Sequence, residues 1–447
     1  MAQKIVIVGG VAGGANIASQ LRRNDQNSDI TLFDKDEHIA FSTCGMPYYI
    51  GGEVEKRSHL LVNSEKFADK FDINLQTNAE VIKIDRENKQ VTYRDSSGEH
   101  KTPYDKLVLA PGASAIKPDF DGYNEKRVFT LHTIPDMDAI QEFIQTHQPK
   151  TCAIIGAGFV GMELVENLQA LSIDCTIIDR SKQVMKLVDK DMAAMIEDHI
   201  TSKGTHLLLN EELNSFSNNG STLHLGSGKS VQADMTIMAA GIRPNKKLAE
   251  DSGLKIGKTG AIKVNNFMQT NDPDIYAIGD VIETNDFLTG TPRHVALAGP
   301  AHRQAIIAAG HMQGNKIEYS GVQGSAIFKV FDLTVGSTGL NAAVLDHLDI
   351  EYKTVTHEAL SHAGYYPGAE KICIKILFDA KTGLLYGAQV IGREGADKRL
   401  AVLATAMKGR MTVHTLTELE LAYAPPYSSP KDPVNVIGYK ATSKLES

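Results

Sequence analysis

The chain carries the same glycine-rich pattern twice, and this repetition constrains the fold more than any other feature. In the first copy, the β-branched run KIVIV at 4–8 leads into GGVAGG at 9–14 and then into a helical stretch. A second apolar run, DITLFD, ends at Asp34, twenty residues after Gly14. This order predicts a strand, a glycine turn, a helix and a second strand ending in an acid, which is the unit that binds a dinucleotide.

The second copy matches the dinucleotide pattern more fully. TCAIIGAGFVG at 151–161 has all three glycines at the expected spacing, and DCTIIDR places Asp179 eighteen residues after Gly161. In the first copy Val11 stands where the middle glycine is expected. Such a turn lets the backbone approach a pyrophosphate, whose charge is met by the N-terminus of the following helix. Two copies therefore predict two bound dinucleotides.

Three further strands are predicted to end at turns where the chain crosses between domains or where a ligand binds. YDKLVLAPGA at 104–113 and ADMTIMAAGIRPN at 233–245 both lead from an apolar run into a glycine-containing turn, as expected at a crossing between domains. TNDPDIYAIGDV at 270–281 places Asp280 at the carboxyl edge of a strand, where doubly wound sheets bind ligands. The helical stretch after it is rich in small residues, which permit a flat ring to approach.

Length and charge limit the remaining possibilities. A chain of 447 residues predicts two or three domains. The net charge of −8 argues against general affinity for nucleic acid, which requires a basic face. No apolar stretch reaches the length of a membrane span, and the start MAQKIVIVGG lacks the pattern of a signal peptide. A cytoplasmic location is expected.

The four cysteines have no spacing that indicates a zinc site or a CxxC motif. Cys152, Cys175 and Cys373 lie in apolar, strand-like runs, which predicts buried, unpaired thiols of the core. Cys44 differs, because it lies in the loop AFSTCGMPYY at 40–49. From the residues alone it is either a buried thiol, half of a disulfide, or a nucleophile without a second cysteine. No metal site is expected.

The motifs GGVAGG, GAGFVG, AAGIRPN and YAIGD fall in the order and spacing of the pyridine nucleotide-disulfide oxidoreductases, which the chain resembles over essentially its whole length. The resemblance implies an α/β fold with two Rossmann-like domains, for FAD and NAD(P)H, and a C-terminal α+β domain that forms a homodimer. It implies these boundaries: FAD-binding domain 1–113 and 246–322, NAD(P)H-binding domain 114–245, dimerisation domain 323–447.

The resemblance also implies which residues bind the cofactors. They are Gly9, Val11, Ala12, Gly14, Asp34, Lys35, Thr43, Ala110, Gly112, Gly156, Gly158, Val160, Gly161, Glu163, Asp179, Arg180, Gly241, Gly279, Asp280 and Ala298. Asp34 matches an acid that binds a ribose, Asp280 the aspartate that holds the FAD ribityl chain, and Glu163 an acid beside the nicotinamide. Asp179 favours NADH, because a carboxylate repels a 2′-phosphate, while Arg180 leaves NADPH open.

Most members of this family carry CxxxxC, but here Tyr49 stands five residues beyond Cys44. The chain therefore resembles the single-cysteine branch, which contains coenzyme A-disulfide reductases, NADH oxidases and NADH peroxidases. The oxidases and peroxidases carry a histidine at the position of Ala12, so the first group is favoured. In that group the cysteine cycles through a mixed disulfide with a small thiol, which implies that Cys44 carries coenzyme A.

The C-terminal sequence resembles that same group, in which two tyrosines reach the active site of the partner subunit. They match Tyr365 and Tyr423, for which the alternative is a role as anchors of the dimer interface. Contacts with coenzyme A are implied for Gln20, Arg23, Ala40, Thr43 and Lys70.

Three departures from the group leave the substrate open. Ala40 and Thr43 stand for a serine and an asparagine, and Phe71 for a lysine. The substrate is therefore expected to be coenzyme A disulfide, another small disulfide, a persulfide or a polysulfide. An NADH oxidase or peroxidase that uses a cysteine sulfenate is the alternative activity. A flavoprotein that acts as a redox-responsive interaction protein is a third hypothesis.

Overall fold

A computed structural model describes residues 2–117 and 120–446. Its strands, numbered in chain order, are β1 (Lys4–Val8), β2 (Asp29–Phe33), β3 (Asn74–Gln76), β4 (Glu80–Asp85), β5 (Gln90–Asp95), β6 (Gly98–Pro103), β7 (Lys106–Leu109), β8 (Ala113–Ala115), β9 (Val128–Thr130), β10 (Thr151–Ile155), β11 (Asp174–Asp179), β12 (His206–Leu209), β13 (Leu213–Ser217), β14 (Thr222–Leu225), β15 (Ser230–Gln232), β16 (Met235–Met238), β17 (Ile242–Pro244), β18 (Ile262–Lys263), β19 (Ile275–Ala277), β20 (Ile282–Asn285), β21 (Pro292–Arg293), β22 (Ala326–Val330), β23 (Leu333–Gly339), β24 (Tyr352–Leu360), β25 (Lys371–Asp379) and β26 (Leu385–Gly392).

The α-helices are α1 (Ala12–Asn24), α2 (Met46–Ile50), α3 (Ser64–Phe71), α4 (Ile134–His147), α5 (Phe159–Ala170), α6 (Lys190–Ser202), α7 (Lys247–Asp251), α8 (Ala298–Met312), α9 (Ala342–His347), α10 (Ala396–Lys408), α11 (Val413–Glu418) and α12 (Pro433–Glu446). Short 3₁₀ helices cover Thr43–Gly45, Arg57–Leu60 and Gly279–Val281.

The chain divides into two compact units. The first consists of Met1–Ile116, His132–Asp138 and Ile242–Val322, and the second consists of Lys117–Leu131, Ala139–Gly241 and Gln323–Ser447. The first unit is thus built from separate parts of the chain, with Ala139–Gly241 of the second unit between them in sequence. The division into three functional domains stays a prediction.

The first unit contains a parallel five-stranded sheet in the order β19-β7-β1-β2-β3. Its central strands are runs of aliphatic residues that are buried on both faces, as parallel sheets require. Helix α1 packs against α8, and both helices bury small residues, among them Ala18 and Ala305. A three-stranded antiparallel sheet, β4-β5-β6, lies in sequence between β3 and β7.

The chain leaves the first unit after β8 and re-enters it for the last time at β17, and these two strands lie side by side. β8 pairs antiparallel with β17, so that Ala113 faces Pro244 and Ala115 faces Ile242. Asn245 strengthens the junction, because its side-chain amide donates to the carbonyl of Pro111 at 2.8 Å. These strands are the crossings that the two glycine turns after apolar runs predict.

The second unit repeats the same design. Its parallel sheet has the order β12-β11-β10-β16-β9, and the antiparallel sheet β13-β14-β15 lies in sequence between β12 and β16, as β4-β5-β6 lies between β3 and β7. The strand at the far edge, β9, precedes the glycine-rich turn in the chain, whereas its counterpart β19 follows it. This doubling confirms the two predicted nucleotide-binding folds.

The C-terminal part of the second unit is an antiparallel sheet in the order β22-β23-β26-β25-β24. Apolar residues of its central strands pack against α10 and α12, with Ile374, Val390, Leu403 and Ile437 all fully buried. The predicted α/β class with a C-terminal α+β domain is therefore confirmed.

Three of the cysteines belong to these cores, as expected. Cys152 and Cys175 face each other in register on β10 and β11, and Cys373 lies on β25; all three are free and buried. Burial raises the pKa of Cys175 to about 12 and that of Cys373 to about 11, so neither is a nucleophile at neutral pH.

The described residues form neither a membrane span nor a cluster of metal ligands. Within 2–117 and 120–446, no helix combines the length and apolar character that crossing a bilayer requires. The same part of the chain contains no group of three or more His, Cys, Asp or Glu side chains arranged to hold a metal ion.

Candidate active site

Cys44 lies in a tight turn at the end of the loop that follows β2. The 3₁₀ helix Thr43–Gly45 contains it, and α2 begins directly afterwards, with Pro47 in its first turn. Tyr49, at the position of the usual second cysteine, lies in α2. Of the four cysteines, all of which the structure describes, only Cys44 is exposed. An exposed thiol can reach a small molecule, which the three buried thiols cannot.

The cysteine loop is fastened to its surroundings by backbone hydrogen bonds. The N–H of Ala40 donates to the carbonyl of Gly10 at 3.0 Å, and the N–H of Ser42 donates to the carbonyl of Leu60 at 2.9 Å. Ala40 has a φ of 50°, in the left-handed region that residues with a Cβ rarely adopt. The loop that carries Cys44 is therefore tied directly to the first glycine turn.

The backbone around the first glycine turn leaves no room for a side chain at Gly9 or at Gly14. A Cβ on Gly9, which has a φ of 94°, would collide with the carbonyl oxygen of Ala110, and a Cβ on Gly14 would collide with that of Gly9. The Asp34 carboxylate accepts the N–H of Gly10 at 2.6 Å. Burial raises the pKa of Asp34, against the effect of its backbone N–H donors. Asp34 thus supports the turn, and its contact with a ribose stays a prediction.

Asp280 lies in the 3₁₀ turn directly after β19. The N–H of Gly279 donates to the Gln304 side chain at 2.8 Å, and His294 Nε2 donates to the carbonyl of Asp280 at 2.7 Å. Burial raises the pKa of the Asp280 carboxyl, and the nearby His294 and His132 side chains oppose that rise. The turn that presents Asp280 is therefore held from two sides.

The other contacts predicted for the first unit fall mainly at one edge of its sheet. Because β19, β7, β1 and β2 are parallel neighbours, residues that follow each strand meet at the carboxyl edge. Those that do so are Val11, Ala12, Lys35, Ala110 and Gly112. Thr43 is exposed beside Cys44, and Ala298 is the exposed first residue of α8.

The second glycine turn differs from the first at its middle position. A Cβ on Gly156 would collide with the carbonyl oxygen of Ala239, and a Cβ on Gly161 with that of Gly156. A Cβ on Gly158 would meet no atom within 4 Å. The protein's own packing therefore explains the outer two glycines, whereas the open space at Gly158 is what a ligand's pyrophosphate requires.

Asp179 occupies the same place in the second unit as Asp34 in the first. It accepts the N–H of Ala157 at 2.7 Å and the N–H of Ser181 at 2.7 Å. Burial alone would raise the pKa of Asp179, but hydrogen bonds from Ser181 and Ala157 outweigh it and hold the pKa below its ordinary value. Asp179 is therefore a carboxylate at neutral pH.

The remaining residues predicted for the second site lie around the same turn. Val160 and Glu163 are half-buried on α5, directly after Gly158. Arg180 is exposed next to Asp179, and Gly241, with a φ of 104°, follows β16. The structure places all four in one unit with the glycine turn.

Tyr365 and Tyr423 are brought together although 58 residues separate them. Their hydroxyl oxygens lie 3.2 Å apart. The side chains are 77% and 43% exposed, so the pair is presented at the surface of this chain. The hydrogen bond with Tyr365 raises the pKa of Tyr423 above its ordinary value. The Tyr423 phenol is therefore protonated at neutral pH.

The residues predicted to contact coenzyme A lie on α1, on α3 and beside Cys44. The Arg23 guanidinium and the Lys70 ammonium each lie 5.2 Å from the centre of the Phe71 ring. Gln20 is half-buried one turn earlier on α1. Arg22, by contrast, is buried and donates to the carbonyls of Phe71 and Asp72 at 3.0 Å and 2.7 Å. Arg22 therefore holds α3 on α1, and Arg23 is the cation that faces outward.

Sequence reasoning missed two parts of this site. It treated Phe71 only as a lost lysine, whereas the ring is flanked by two cations at the distance of a cation–π contact. It also missed Arg399, which is buried and bonded to the segments that carry the two tyrosines. Arg23 and Phe71 are far apart in the chain, so no sequence signal identifies the contact between them.

Both glycine turns fit a bound dinucleotide. Each turn lies at the carboxyl edge of a parallel sheet. Open space where a Cβ would stand is found at Gly158 in the second turn and, in the first unit, at Gly112, which follows β7 and not the turn at 9–14. The first-turn N–H groups of α1 and α5 have no partners within their helices, as at any helix start, and favour a phosphate there. The residues present therefore suit FAD in one unit and NAD(P)H in the other.

Comparison with known protein families gives two matches. Residues 3–305 match the family described as pyridine nucleotide-disulphide oxidoreductase. Residues 325–432 match its dimerisation domain. Together these matches cover nearly the whole chain.

Individual proteins give a consistent result. The chain is 42% identical over 443 residues to the coenzyme A disulfide reductase of Staphylococcus haemolyticus, with 98% of this chain and 99% of the relative covered. It is 43% identical to the reduced CoADR-RHD of Bacillus anthracis, with a TM-score of 0.98, covering 100% of this chain and 81% of that one. It is 34% identical to an NAD-dependent persulfide reductase from A. fulgidus, with a TM-score of 0.97 and coverage of 99% and 84%.

Proposed function

The chain belongs to the pyridine nucleotide-disulphide oxidoreductase family, and we propose that it uses NADH and FAD to reduce coenzyme A disulfide or a related small disulfide or persulfide at Cys44. The observation that carries this proposal is the exposure of Cys44 in a hydrogen-bonded turn, with the other three thiols buried in cores. The full-length similarity to a coenzyme A disulfide reductase supports the substrate class.

Cys44 acts as the nucleophile. Its thiolate attacks one sulfur of the substrate disulfide, so that a Cys44–substrate disulfide forms and the other half leaves as a thiolate, which takes up a proton. When bound, FAD and NADH supply the two electrons that return this mixed disulfide to the Cys44 thiolate and a free thiol. The hydrogen bonds at Ala40 and Ser42 keep the turn, and with it the thiol, in place for the attack of Cys44 on the substrate disulfide.

The tyrosine pair supplies the proton for the departing thiolate. Tyr423 is hydrogen-bonded to Tyr365 and retains its proton at neutral pH. Because the chain carries the family's dimerisation domain and both tyrosines are exposed, we place them at the active site of a second copy in a homodimer. The alternative role, as anchors of the interface, predicts that replacing the hydroxyl leaves the rate unchanged.

The cofactor roles follow from the two glycine turns. The first unit binds FAD through the turn at 9–14, with Asp34 beneath the turn and Asp280 at the same sheet edge. The segment 114–245 binds the nicotinamide nucleotide through the turn at 156–161. Asp179 is a carboxylate at the end of β11, so it accepts from a free 2′-hydroxyl and repels a 2′-phosphate, which favours NADH.

Coenzyme A carries phosphates and an adenine ring, and the α1–α3 surface offers partners for both. Arg23 and Lys70 supply positive charge, and Phe71 supplies an aromatic ring 5.2 Å from both cations. Gln20 adds a side-chain amide on the same helix as Arg23. Thr43 and Ala40 flank the thiol end of the substrate. Small thiols of this kind are found in the cytoplasm, where we place the protein.

The intact mass of the denatured, unreduced protein tests the resting state of Cys44. We expect an adduct with the mass of coenzyme A that a thiol reductant releases and that Cys44→Ser lacks. A cysteine carrying one added oxygen atom would instead favour the NADH oxidase or peroxidase chemistry.

Turnover distinguishes the remaining possibilities. NADH consumption with coenzyme A disulfide under anaerobic conditions is expected to exceed consumption with oxygen or peroxide as acceptor. The opposite order would refute the proposal. Flavin that NADH reduces but that no substrate reoxidises would indicate the redox-responsive interaction protein.

A further inference from the structure

A buried ion pair stands behind the two tyrosines. Arg399, on α10, and Asp432, immediately before α12, are 1% and 3% exposed, and their Nη2 and Oδ2 atoms lie 2.9 Å apart. Burying an ion pair this completely contributes little net stability, because desolvation offsets the attraction. The hydrogen bonds that surround the pair therefore indicate its purpose better than the pair itself does.

The guanidinium joins two segments that are distant in the chain. Arg399 Nη2 donates to the carbonyl of Ser361 at 2.8 Å and to the Ser428 hydroxyl oxygen at 3.2 Å. The Ser428 hydroxyl in turn donates to Asp432 at 2.6 Å. Ser361 precedes Tyr365 by four residues, and Ser428 follows Tyr423 by five. We call 361–367 and 423–428 the tyrosine segments.

The side chains of Tyr365 and Tyr423 are not themselves packed into a core. The rings are 77% and 43% exposed, so packing does little to orient them. A backbone hydrogen bond joins the segments directly, because the N–H of Ala363 donates to the carbonyl of Pro425 at 3.3 Å. The 3.2 Å contact between the hydroxyls of Tyr365 and Tyr423 therefore depends on where the backbone places each segment.

We propose that Arg399 and Asp432 are positioning residues for the tyrosine pair during reduction of the mixed disulfide. This inference rests on the proposed function. The planar guanidinium fork reaches a carbonyl, a hydroxyl and a carboxylate from one rigid group, which neither lysine nor an apolar residue can do. Without the fork Ser361 and Ser428 lose their common donor, and the hydrogen bond from Ala363 to Pro425 alone holds the two hydroxyls less closely together.

The test removes both charges together, because removing one would leave the other buried and unpaired. In Arg399→Met/Asp432→Leu we expect NADH to reduce the flavin at the wild-type rate. We expect kcat for disulfide reduction to fall about tenfold, since small misplacements of a reacting group have effects of this order or larger. Arg399→Lys, which keeps the charge and loses the fork, replaces this variant if it does not fold.

The same change is then made in a Tyr423→Phe background. If the ion pair acts through the tyrosines, it lowers kcat less than about twofold there, because residues that act as a unit are not additive. An equal, tenfold loss in both backgrounds would overturn the proposal. Lys375→Met/Asp189→Asn serves as control, because it also removes both charges of a buried ion pair, and Lys375 and Asp189 lie outside both tyrosine segments. This control is expected to lose no more kcat in one background than in the other.

A measurement without turnover separates this inference from the proposed function. Ultraviolet absorbance is titrated in a protein that has Tyr423 and in the same protein carrying Tyr423→Phe. The difference between the two titrations gives the pKa of the Tyr423 phenol. In Arg399→Met/Asp432→Leu we expect it to fall toward the ordinary value of about 10. An unchanged titration would overturn the positioning role, even if the wild-type protein reduces no disulfide and the proposed function fails.

Discussion

The contrast between Gly158 and Gly161 gives the sharpest test of the nucleotide site. Both belong to the same glycine turn, yet a Cβ on Gly161 would collide with a backbone oxygen, whereas one on Gly158 would meet nothing within 4 Å. Gly158→Ala and Gly161→Ala therefore add the same methyl group to two positions of one loop. One methyl intrudes on the protein, and the other intrudes on the ligand.

The magnitudes follow from this geometry. In Gly161→Ala the backbone must shift, which costs about 1–3 kcal/mol of folding free energy. Gly158 has a φ of −89° and a ψ of −167°, which alanine also adopts, so its replacement stabilises by about 0.4–1 kcal/mol through the unfolded chain. In Gly158→Ala the same overpacking cost of about 1–3 kcal/mol weakens the binding free energy of NADH, so the dissociation constant of NADH rises about five- to 150-fold.

Two assays read these effects separately. Unfolding is followed by circular dichroism, because the chain contains no tryptophan. NADH affinity comes from the concentration dependence of flavin reduction in a stopped-flow instrument, which needs no disulfide substrate. Loss of stability in Gly158→Ala comparable to that in Gly161→Ala, or unchanged NADH affinity in Gly158→Ala, would refute the assignment of the open space to the nucleotide.

Three further predictions concern sulfur chemistry and acidity. Cys44→Ser is expected to fold and to be reduced by NADH like the wild type but to lose disulfide reduction by at least about a thousandfold, since a hydroxyl does not replace a thiolate nucleophile; residual turnover near wild type in steady-state assays would exclude Cys44. Tyr365→Phe removes the bond that raises the pKa of Tyr423, so the alkaline limb of the rate profile is expected to move to lower pH, and a profile identical to wild type would contradict that bond. Asp432 has a depressed pKa, because hydrogen bonds and the Arg399 charge outweigh its burial, so its stabilising effect is complete above the ordinary value of about 4 and is lost as pH falls through the depressed value; acid unfolding measured by circular dichroism should be less steep in Asp432→Asn.

The glycine turns made much of the fold predictable from sequence. Each turn requires a strand before it, a helix after it and an acid at the end of the next strand, and the structure has all of these at both places. The antiparallel sheets β4-β5-β6 and β13-β14-β15 were not predicted, because their short strands alternate weakly and pair only with one another. The edge position of β9 was not predictable either, since it is set by pairing with β16, far away in the chain.

The candidate site was predictable only where a motif fixes it. Cys44, its missing partner at Tyr49 and the two tyrosines all came from motif positions. The contact between those tyrosines, by contrast, depends on Arg399, whose guanidinium bonds residues that lie 38 and 29 positions away in the chain. The local sequence does not show whether an arginine on a helix is buried or exposed, so the role of Arg399 follows from packing.

The interleaving of the two units has a consequence for synthesis on the ribosome. The parallel sheet of the second unit is complete once β16 has been made, at residue 238. The parallel sheet of the first unit needs β19 at 275–277, and its helix α1 needs α8 to pack against. Domains of a growing chain tend to fold as soon as their parts have emerged. The nascent chain therefore completes the inserted nucleotide fold first, while β1, β2 and β7, made earlier, still lack their edge strand.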